Sequence, residues 1–202
     1  MAAKMILMIA GDYTEDWEVI VPFDALRMVG HTVHAVCPDK EEGETIKTAV
    51  NYPDGTDQFY IEDRGHRFTL NATFAEINVA DYDGLLIPGG RMAEYIRTYP
   101  IVIEAVQHFD REKKPIAVLC HGLQVLVPTG ICQGRKLTGF PTVACDLQAA
   151  GAEWVDNGLD GVVVDGNLVT GATFLSHPEW LAEFLKMLGT EIIHHEAASA
   201  TA

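Results

Sequence analysis

Basic residues are scarce in this sequence. Its 202 residues include 14 lysines and arginines against 29 aspartates and glutamates, which gives a net charge of −15 with the histidines neutral. A strongly acidic surface repels the phosphates of nucleic acids and the headgroups of anionic membranes. We therefore expect neither nucleic acid nor a membrane among the partners of this protein.

Long apolar segments are missing as well. No stretch approaches the roughly 20 apolar residues needed to cross a bilayer. The first apolar run, Met5–Ala10, is too short for a signal peptide and leads directly into acidic residues. We therefore expect a cytosolic protein with free thiols. Its four cysteines form no Cys-x-x-Cys pair and are Cys37, Cys120, Cys132 and Cys145.

Strands and helices are predicted to alternate along most of the chain. This alternation is typical of an α/β domain in which a parallel sheet lies between two layers of helices. The length fits a single domain over residues 1–193. The first helix is predicted to hold Pro22 in its first turn, where proline is tolerated. The predicted strands are Met5–Ala10, Thr32–Cys37, Tyr82–Pro88 and Pro115–Cys120, and the main helices are Glu18–Val29, Ile101–Lys113 and Pro178–Leu188.

Residues 39–74 interrupt this alternation. Turn signals at Pro53-Asp54-Gly55 and Arg64-Gly65-His66 accompany two β-prone runs, Gln58–Ile61 and Arg67–Leu70. The pattern predicts a β-hairpin inserted into the α/β domain. The alternative is a loose loop, although a structureless loop of this length would be unusual.

The last residues, 194–202, are predicted to form a flexible tail. The tail contains His194 and His195, which have no partner at the spacing of metal ligands. The sequence therefore predicts no metal site.

Cys120 is the most informative residue. It ends an apolar strand, and His121-Gly122 opens the helix that follows, which is the arrangement of a nucleophile elbow. Such a turn is made in one residue, so we expect a strained backbone at Cys120, and the helix N-terminus would lower the pKa of the thiol. The alternative is a buried cysteine that acts as a small apolar residue.

Two other segments also follow strands and would reach the same edge of the sheet. Gly89-Gly90 could bring backbone N–H groups close to a substrate oxygen, or could be a simple turn. The acidic loop Gly11–Asp16 could turn one carboxylate toward Cys120. The spacing alone does not decide which acid that is.

Taken together, these motifs resemble the DJ-1/PfpI superfamily of glutamine-amidotransferase-like α/β proteins. The resemblance covers about residues 4–190. Three segments point to a narrower branch of this superfamily, because they are similar to each half of the tandem plant DJ-1 proteins. They are segment 39–74, Phe68–Phe74 and His177-Pro178-Glu179. The motifs that carry the superfamily resemblance are Ala117–Gly122, Pro88-Gly89-Gly90-Arg91, Gly11–Val19, Gly134-Arg135-Lys136 and Ala150–Val155.

The resemblance implies a flavodoxin-like three-layer sandwich with a mainly parallel central sheet and the inserted hairpin. It also implies a role for individual residues. Cys120 matches the nucleophile, Glu15 the carboxylate that bonds its sulfur, and His121 the adjacent histidine. Glu94 matches an acid that reaches the histidine of a neighbouring subunit in PfpI-type oligomers. The backbone N–H groups of Gly90 and His121 match the oxyanion hole. One departure is Pro128-Thr129-Gly130, which predicts a shorter or kinked elbow helix.

The resemblance further implies an enzyme of the glyoxalase III type, a lyase that converts methylglyoxal to lactate without metal, glutathione or another cofactor. The archaeal relatives suggest an alternative, an intracellular cysteine peptidase or amidase with a peptide substrate. A second alternative is a thiol redox sensor or chaperone. We also expect a homo-oligomer, either a trimer or hexamer or a dimer.

Overall fold

The computed structural model describes residues 2–53 and 60–193. Strands and helices alternate through these residues as predicted. The α-helices are α1 (Asp16–Met28), α2 (Met92–Ile96), α3 (Pro100–Arg111), α4 (Ala144–Ala149) and α5 (His177–Met187). The strands are β1 (Met5–Ile9), β2 (Thr14–Glu15), β3 (Thr32–Val36), β4 (Thr45–Pro53), β5 (Tyr60–Thr69), β6 (Gly84–Ile87), β7 (Ile116–Leu119), β8 (Lys136–Leu137), β9 (Glu153–Trp154), β10 (Val162–Asp165) and β11 (Leu168–Gly171).

A six-stranded sheet forms the centre of the molecule, in the order β10-β11-β7-β6-β1-β3. All neighbours run parallel except β10, which pairs antiparallel with β11. The order brings the carboxyl ends of β1, β6 and β7 side by side. In open α/β sheets this edge is where ligands bind.

Helices cover both faces of the sheet, which confirms the predicted three-layer α/β sandwich. Successive side chains of β1 point to opposite faces: Leu7 and Ile9 pack with α2 and α3. Ile6 and Met8 pack with α1 and α5. All four are fully buried, so both faces of β1 are shielded from solvent.

The predicted hairpin is also present, because β4 pairs antiparallel with β5 and joins β2 in a second sheet. The predicted turn at Arg64-Gly65-His66 is wrong, since these residues lie inside β5. Gly65 is needed there for space: a Cβ at this position would lie 2.7 Å from an oxygen of Asp16. The predicted turn at Pro53-Asp54-Gly55 and the predicted start of a strand at Gln58 fall wholly or partly outside the described residues, as does the tail 194–202.

The predicted position of Pro22 is also wrong. Helix α1 begins at Asp16, two residues before the predicted start, and its cap is Glu15. Pro22 therefore lies in the interior of the helix rather than in its first turn. After β7, a 3-10 helix runs from Cys120 to Thr129 and ends at Gly130, whose φ is 81°, so the chain takes a tighter coil than an α-helix around Pro128.

Within the described part of the chain, no helix has both the length and the apolar composition needed to cross a membrane.

Candidate active site

Cys120 occupies the sharp turn between β7 and the 3-10 helix. Its φ is 57°, a left-handed conformation that is costly for a residue with a side chain. The expected backbone strain at Cys120 is thus confirmed. A Cβ on Gly122 would lie 3.0 Å from the carbonyl oxygen of Ile87, so this glycine lets the turn pack against the end of β6. Cys120 is 7% exposed.

The carboxylate beside the Cys120 sulfur belongs to Glu18, in the first turn of α1. Its side chain is fully buried and forms a hydrogen bond with the thiol. Its Oε2 accepts the backbone N–H of Gly89 at 2.7 Å. Residue 89 must be glycine, because a Cβ there would lie 2.6 Å from the Cβ of Cys120. Glu18, Gly89 and Cys120 therefore form one compact cluster.

The assignment of Glu15 to this position is wrong. Glu15 caps α1, and its Oε2 accepts the backbone N–H of Glu18 at 2.9 Å. Its carboxyl group is close enough for its charge to raise the pKa of the Cys120 thiol, but Glu18 has the larger effect and the hydrogen bond. The physical reason is the register of the helix. Because α1 begins at Asp16, Glu15 is used as its cap and the side chain that faces Cys120 comes three residues later.

The pKa values of the three acidic groups in and beside this cluster are all raised. Burial, and then the charge of Glu15, raise the pKa of Glu18 to about 8. Burial raises the pKa of Glu15 to about 7. Burial, together with the charge of Glu18, raises the pKa of Cys120 well above its usual value. The expected lowering of the thiol pKa by a helix N-terminus is therefore outweighed. Two coupled groups this close titrate as a pair, and the thiol keeps its proton until a base removes it.

His121 lies next to the sulfur as the resemblance implies. Its Nδ1 is 3.4 Å from the Sγ of Cys120. The ring stacks on Phe140 with centroids 4.7 Å apart, and its Nε2 is 3.4 Å from the hydroxyl of Thr142. Burial lowers the pKa of His121 to about 4, so the imidazole is neutral near pH 7.

Backbone N–H groups converge on the thiol. The N–H of His121 donates to the Cys120 sulfur. Gly90 has a φ of 84° and forms a bridge with Thr14, and among the described residues its N–H has no protein acceptor. The N–H of neighbouring Gly89 is occupied by Glu18. The oxyanion hole formed by the N–H groups of Gly90 and His121 remains a prediction.

Glu94 is not part of this cluster. It lies exposed on α2 and lines a separate cavity with Arg91. Its contact with the His121 of a neighbouring subunit remains a prediction. All four cysteines are free, and only Cys145 of them is exposed. Among the residues that the structure describes, no three His, Cys, Asp or Glu side chains lie together as metal ligands.

Two site residues were missed by sequence reasoning. The sequence pattern predicts that the first helix begins at Glu18 and indicates no role for this residue in the site. Its signal was available, because an acid three residues after a capping residue is a common start of a helix. Phe140 gave no signal, since its stacking on His121 joins residues 19 positions apart that lie on no shared periodic element.

Known proteins are similar to this chain along most of its length. The model of the DJ-1/PfpI family matches residues 4–187. The chain is 49% identical over 191 residues to protein DJ-1 homolog D of Arabidopsis thaliana, covering 94% of this chain and 49% of that protein. It is 33% identical over 187 residues to the deglycase PfpI of Pyrococcus furiosus, covering 91% and 98%.

The chain spans about half the length of the first plant relatives it matches. Among solved structures, DJ-1 of Schizosaccharomyces pombe superimposes with a TM-score of 0.74 at 21% identity, covering 90% of both chains. This likeness confirms the fold.

Proposed function

Because the chain belongs to the DJ-1/PfpI family, we propose that it is a cysteine-dependent enzyme for small reactive carbonyl compounds, of the glutathione-independent glyoxalase type. Relatives named deglycases support reactive-carbonyl chemistry at the level of the family. The observation that carries the proposal is the buried pair of Cys120 and Glu18 at the elbow. A thiol that is 7% exposed suits a two- or three-carbon aldehyde better than a folded polypeptide.

In the proposed reaction, the Sγ of Cys120 attacks the aldehyde carbon of methylglyoxal while its proton passes to the carboxylate of Glu18. The aldehyde oxygen becomes the oxygen of a hemithioacetal and is stabilised by the N–H groups of Gly90 and His121. Glu18 suits this step because its raised pKa makes it a base of useful strength near neutral pH.

A base then removes the hydrogen from the former aldehyde carbon, and a proton is returned to the neighbouring carbon through an enediol. This gives a thioester of lactate on Cys120. Water cleaves the thioester, releasing lactate and the free thiol. Methylglyoxal and water are thus consumed to give lactate, with no oxidant or reductant. In this proposal, neutral His121 beside the sulfur exchanges these protons.

The test is lactate formation from methylglyoxal without glutathione, compared in the wild type, Cys120→Ala and Cys145→Ala. Cys145 is the matched control, because an exposed thiol binds aldehydes nonspecifically. We expect activity to be lost in Cys120→Ala and kept in Cys145→Ala. Equal lactate formation in all three proteins would overturn the proposal.

The same variants separate the alternatives. Cys120-dependent cleavage of a peptide or release of a carbonyl adduct from an amine, without lactate, would identify a peptidase or a deglycase. A sulfinic acid at Cys120 after peroxide, seen by mass spectrometry without turnover of any substrate, would identify a redox sensor.

We further propose that the protein forms a homo-oligomer in which Glu94 meets the His121 of a neighbouring subunit. The exposed position of Glu94 on α2 supports this. Light scattering gives the mass in solution. An active monomer, or unchanged turnover in Glu94→Ala, would contradict the proposal that two subunits share the site.

A further inference from the structure

The ring of Phe140 lies flat against the imidazole of His121. Their centroids are 4.7 Å apart and their planes differ by 24°, so the two rings are stacked nearly face to face. Aromatic pairs at this separation attract each other. The contact joins the residue that follows the nucleophile to the segment between β8 and α4.

The stack matters for His121 because rotation of a histidine ring about its Cβ–Cγ bond is only weakly restricted by the side chain itself. The Nε2 atom is 3.4 Å from the hydroxyl of Thr142, which is exposed and farther away than in an ordinary hydrogen bond. A ring that turns out of its plane loses its contact with Phe140. The stack therefore fixes the plane of the imidazole, and in that plane Nδ1 lies 3.4 Å from the Sγ of Cys120.

The backbone of Phe140 is held on both sides. Before it, Thr138 is buried, and its N–H donates to the hydroxyl of Thr170 at 3.1 Å. After it, Pro141 favours an extended conformation at residue 140, and φ and ψ there are −60° and 135°. The N–H of Val143 donates to the carbonyl oxygen of Phe140 at 3.0 Å. Phe140 is therefore a fixed support rather than part of a loose loop.

The same segment packs directly on the elbow. A Cβ at Gly139 would lie 3.2 Å from the carbonyl oxygen of Cys120 and 3.1 Å from a methyl carbon of Leu123. The lack of a side chain at residue 139 thus lets the backbone before Phe140 approach the turn that carries His121. Packing of this kind around a functional side chain is what keeps its geometry precise.

From these contacts we propose that Phe140 is a positioning residue, whose ring holds the imidazole of His121 with Nδ1 toward the sulfur of Cys120. Its effect on turnover rests on the proposed function, in which His121 exchanges protons with the substrate. The orientation of the ring, in contrast, is a property of the protein without substrate. Because the stack occupies a face of the imidazole, it is compatible with a contact between the edge of the ring and Glu94 of a neighbouring subunit.

The first measurement is the NMR spectrum of the carbon-bound imidazole protons in the full-length protein, with the His121 signals assigned by their absence in His121→Ala. Protons above the face of an aromatic ring are shifted upfield. The wild-type signals should therefore lie upfield of those in Phe140→Leu, which keeps an apolar side chain without a flat face. Phe140→Tyr keeps the flat face and should keep the upfield position. Identical His121 signals in the wild type and Phe140→Leu would overturn the proposal.

The second measurement is the turnover of methylglyoxal. Phe140→Leu should lower kcat about tenfold with little change in KM, because a misplaced proton carrier weakens the chemical step rather than substrate binding. Phe140→Tyr should keep most of the wild-type kcat. In the His121→Ala background, Phe140→Leu should have no further effect, since a positioning residue acts through the side chain that it positions.

Phe74→Leu is the matched control, because it makes the same change at a buried phenylalanine in the core layer of α2 and α3. Its kcat should equal that of the wild type. Three results would overturn the proposal: equal losses from Phe140→Leu with and without His121, a loss in Phe140→Tyr as large as in Phe140→Leu, or the same loss in Phe74→Leu. If the wild type forms no lactate, the proposed function fails, and the NMR signals alone decide whether Phe140 orients His121.

Discussion

Asp16 and Glu18 lie two residues apart in the first turn of α1, and both are almost completely buried, yet the fold shifts their pKa values in opposite directions. Burial alone would raise the pKa of Asp16, but hydrogen bonds from Thr48 and from the backbone and ring of His66 lower it below 3.8. Glu18 accepts from Gly89 and Cys120, and burial raises its pKa to about 8.

The difference shows that the partners, rather than the depth of burial, decide what a buried acid does. Asp16 is held by a hydroxyl, an N–H and an imidazole that stabilise its negative charge. It joins α1 to the hairpin and has a structural role. Glu18 is buried beside the charge of Glu15, and both burial and that charge favour its protonated form. It can therefore take and return a proton.

The largest effect is expected on turnover, which should fall much more when Glu18 is substituted than when Asp16 is substituted. Glu18→Gln keeps an acceptor for the N–H of Gly89 but cannot accept the thiol proton. We expect it to lower Cys120-dependent turnover about a hundredfold. The turnover of Asp16→Asn should stay within about threefold of the wild-type turnover, because this variant keeps Glu18 as the proton acceptor. Steady-state kinetics on the substrate identified for the wild type measure both.

Similar losses in the two variants would contradict this comparison. Circular dichroism of both proteins guards against unfolding, and Glu18→Asp serves as a conservative variant that keeps a carboxyl group. Partial activity in Glu18→Asp but not in Glu18→Gln would show that the proton acceptor, rather than the shape of the side chain, matters.

The sequence predicted the strands around the site better than it predicted the roles of Asp16 and Glu18. The apolar runs that became β1, β3, β6 and β7 were found because buried strands are continuous and local. The assignment of Glu15 came from the family resemblance. It failed because α1 begins at Asp16 and uses Glu15 as its cap, and helix boundaries depend on capping contacts. Here the cap is Glu15 itself, held in place by the hairpin. The pairing of Asp16 with His66 joins residues 50 positions apart and could not be read from periodicity.

The second prediction concerns how stability depends on pH. The pKa of Glu18 is raised in the folded protein from 4.5 to about 8. Between these values the folded state binds more protons than the unfolded state, so stability is present at low pH and is lost as the pH rises. Glu15 acts in the same direction up to about pH 7. Removing one such group should reduce the slope of the unfolding free energy by roughly 1.4 kcal/mol per pH unit.

Urea denaturation of the wild type and Glu18→Gln between pH 5.5 and 7 measures this slope. The variant should lose less stability than the wild type as the pH rises. An unchanged slope would mean that Glu18 is ionised throughout this range, and its part as a proton acceptor would then need a different explanation.

The third prediction concerns the anchor of the hairpin. At neutral pH, Asp16→Asn should lower the free energy of unfolding by about 1–3 kcal/mol, because the groups that bond Asp16 lose a charged acceptor. The pKa of Asp16 is lowered on folding, so its contribution is present above the unfolded value of 3.8 and is lost on acidification. The difference between variant and wild type should shrink as the pH falls below that value. A constant difference would show that the charge of Asp16 is not what stabilises the anchor.

The smallest effect is expected at Glu15, which acts on the site only through its charge. Glu15→Gln keeps a side-chain oxygen for the N–H of Glu18, so the helix cap is preserved. Because the charge of Glu15 raises the pKa of Glu18 and ranks below burial as a cause, its removal should lower that pKa. The acidic limb of the pH profile of turnover should move to lower pH by the same amount. Glu179→Gln, an exposed change on α5, serves as the control and should leave the profile in place. A loss of turnover at Glu15→Gln as large as that at Glu18→Gln would return Glu15 to the role beside the Cys120 sulfur that the family resemblance implies.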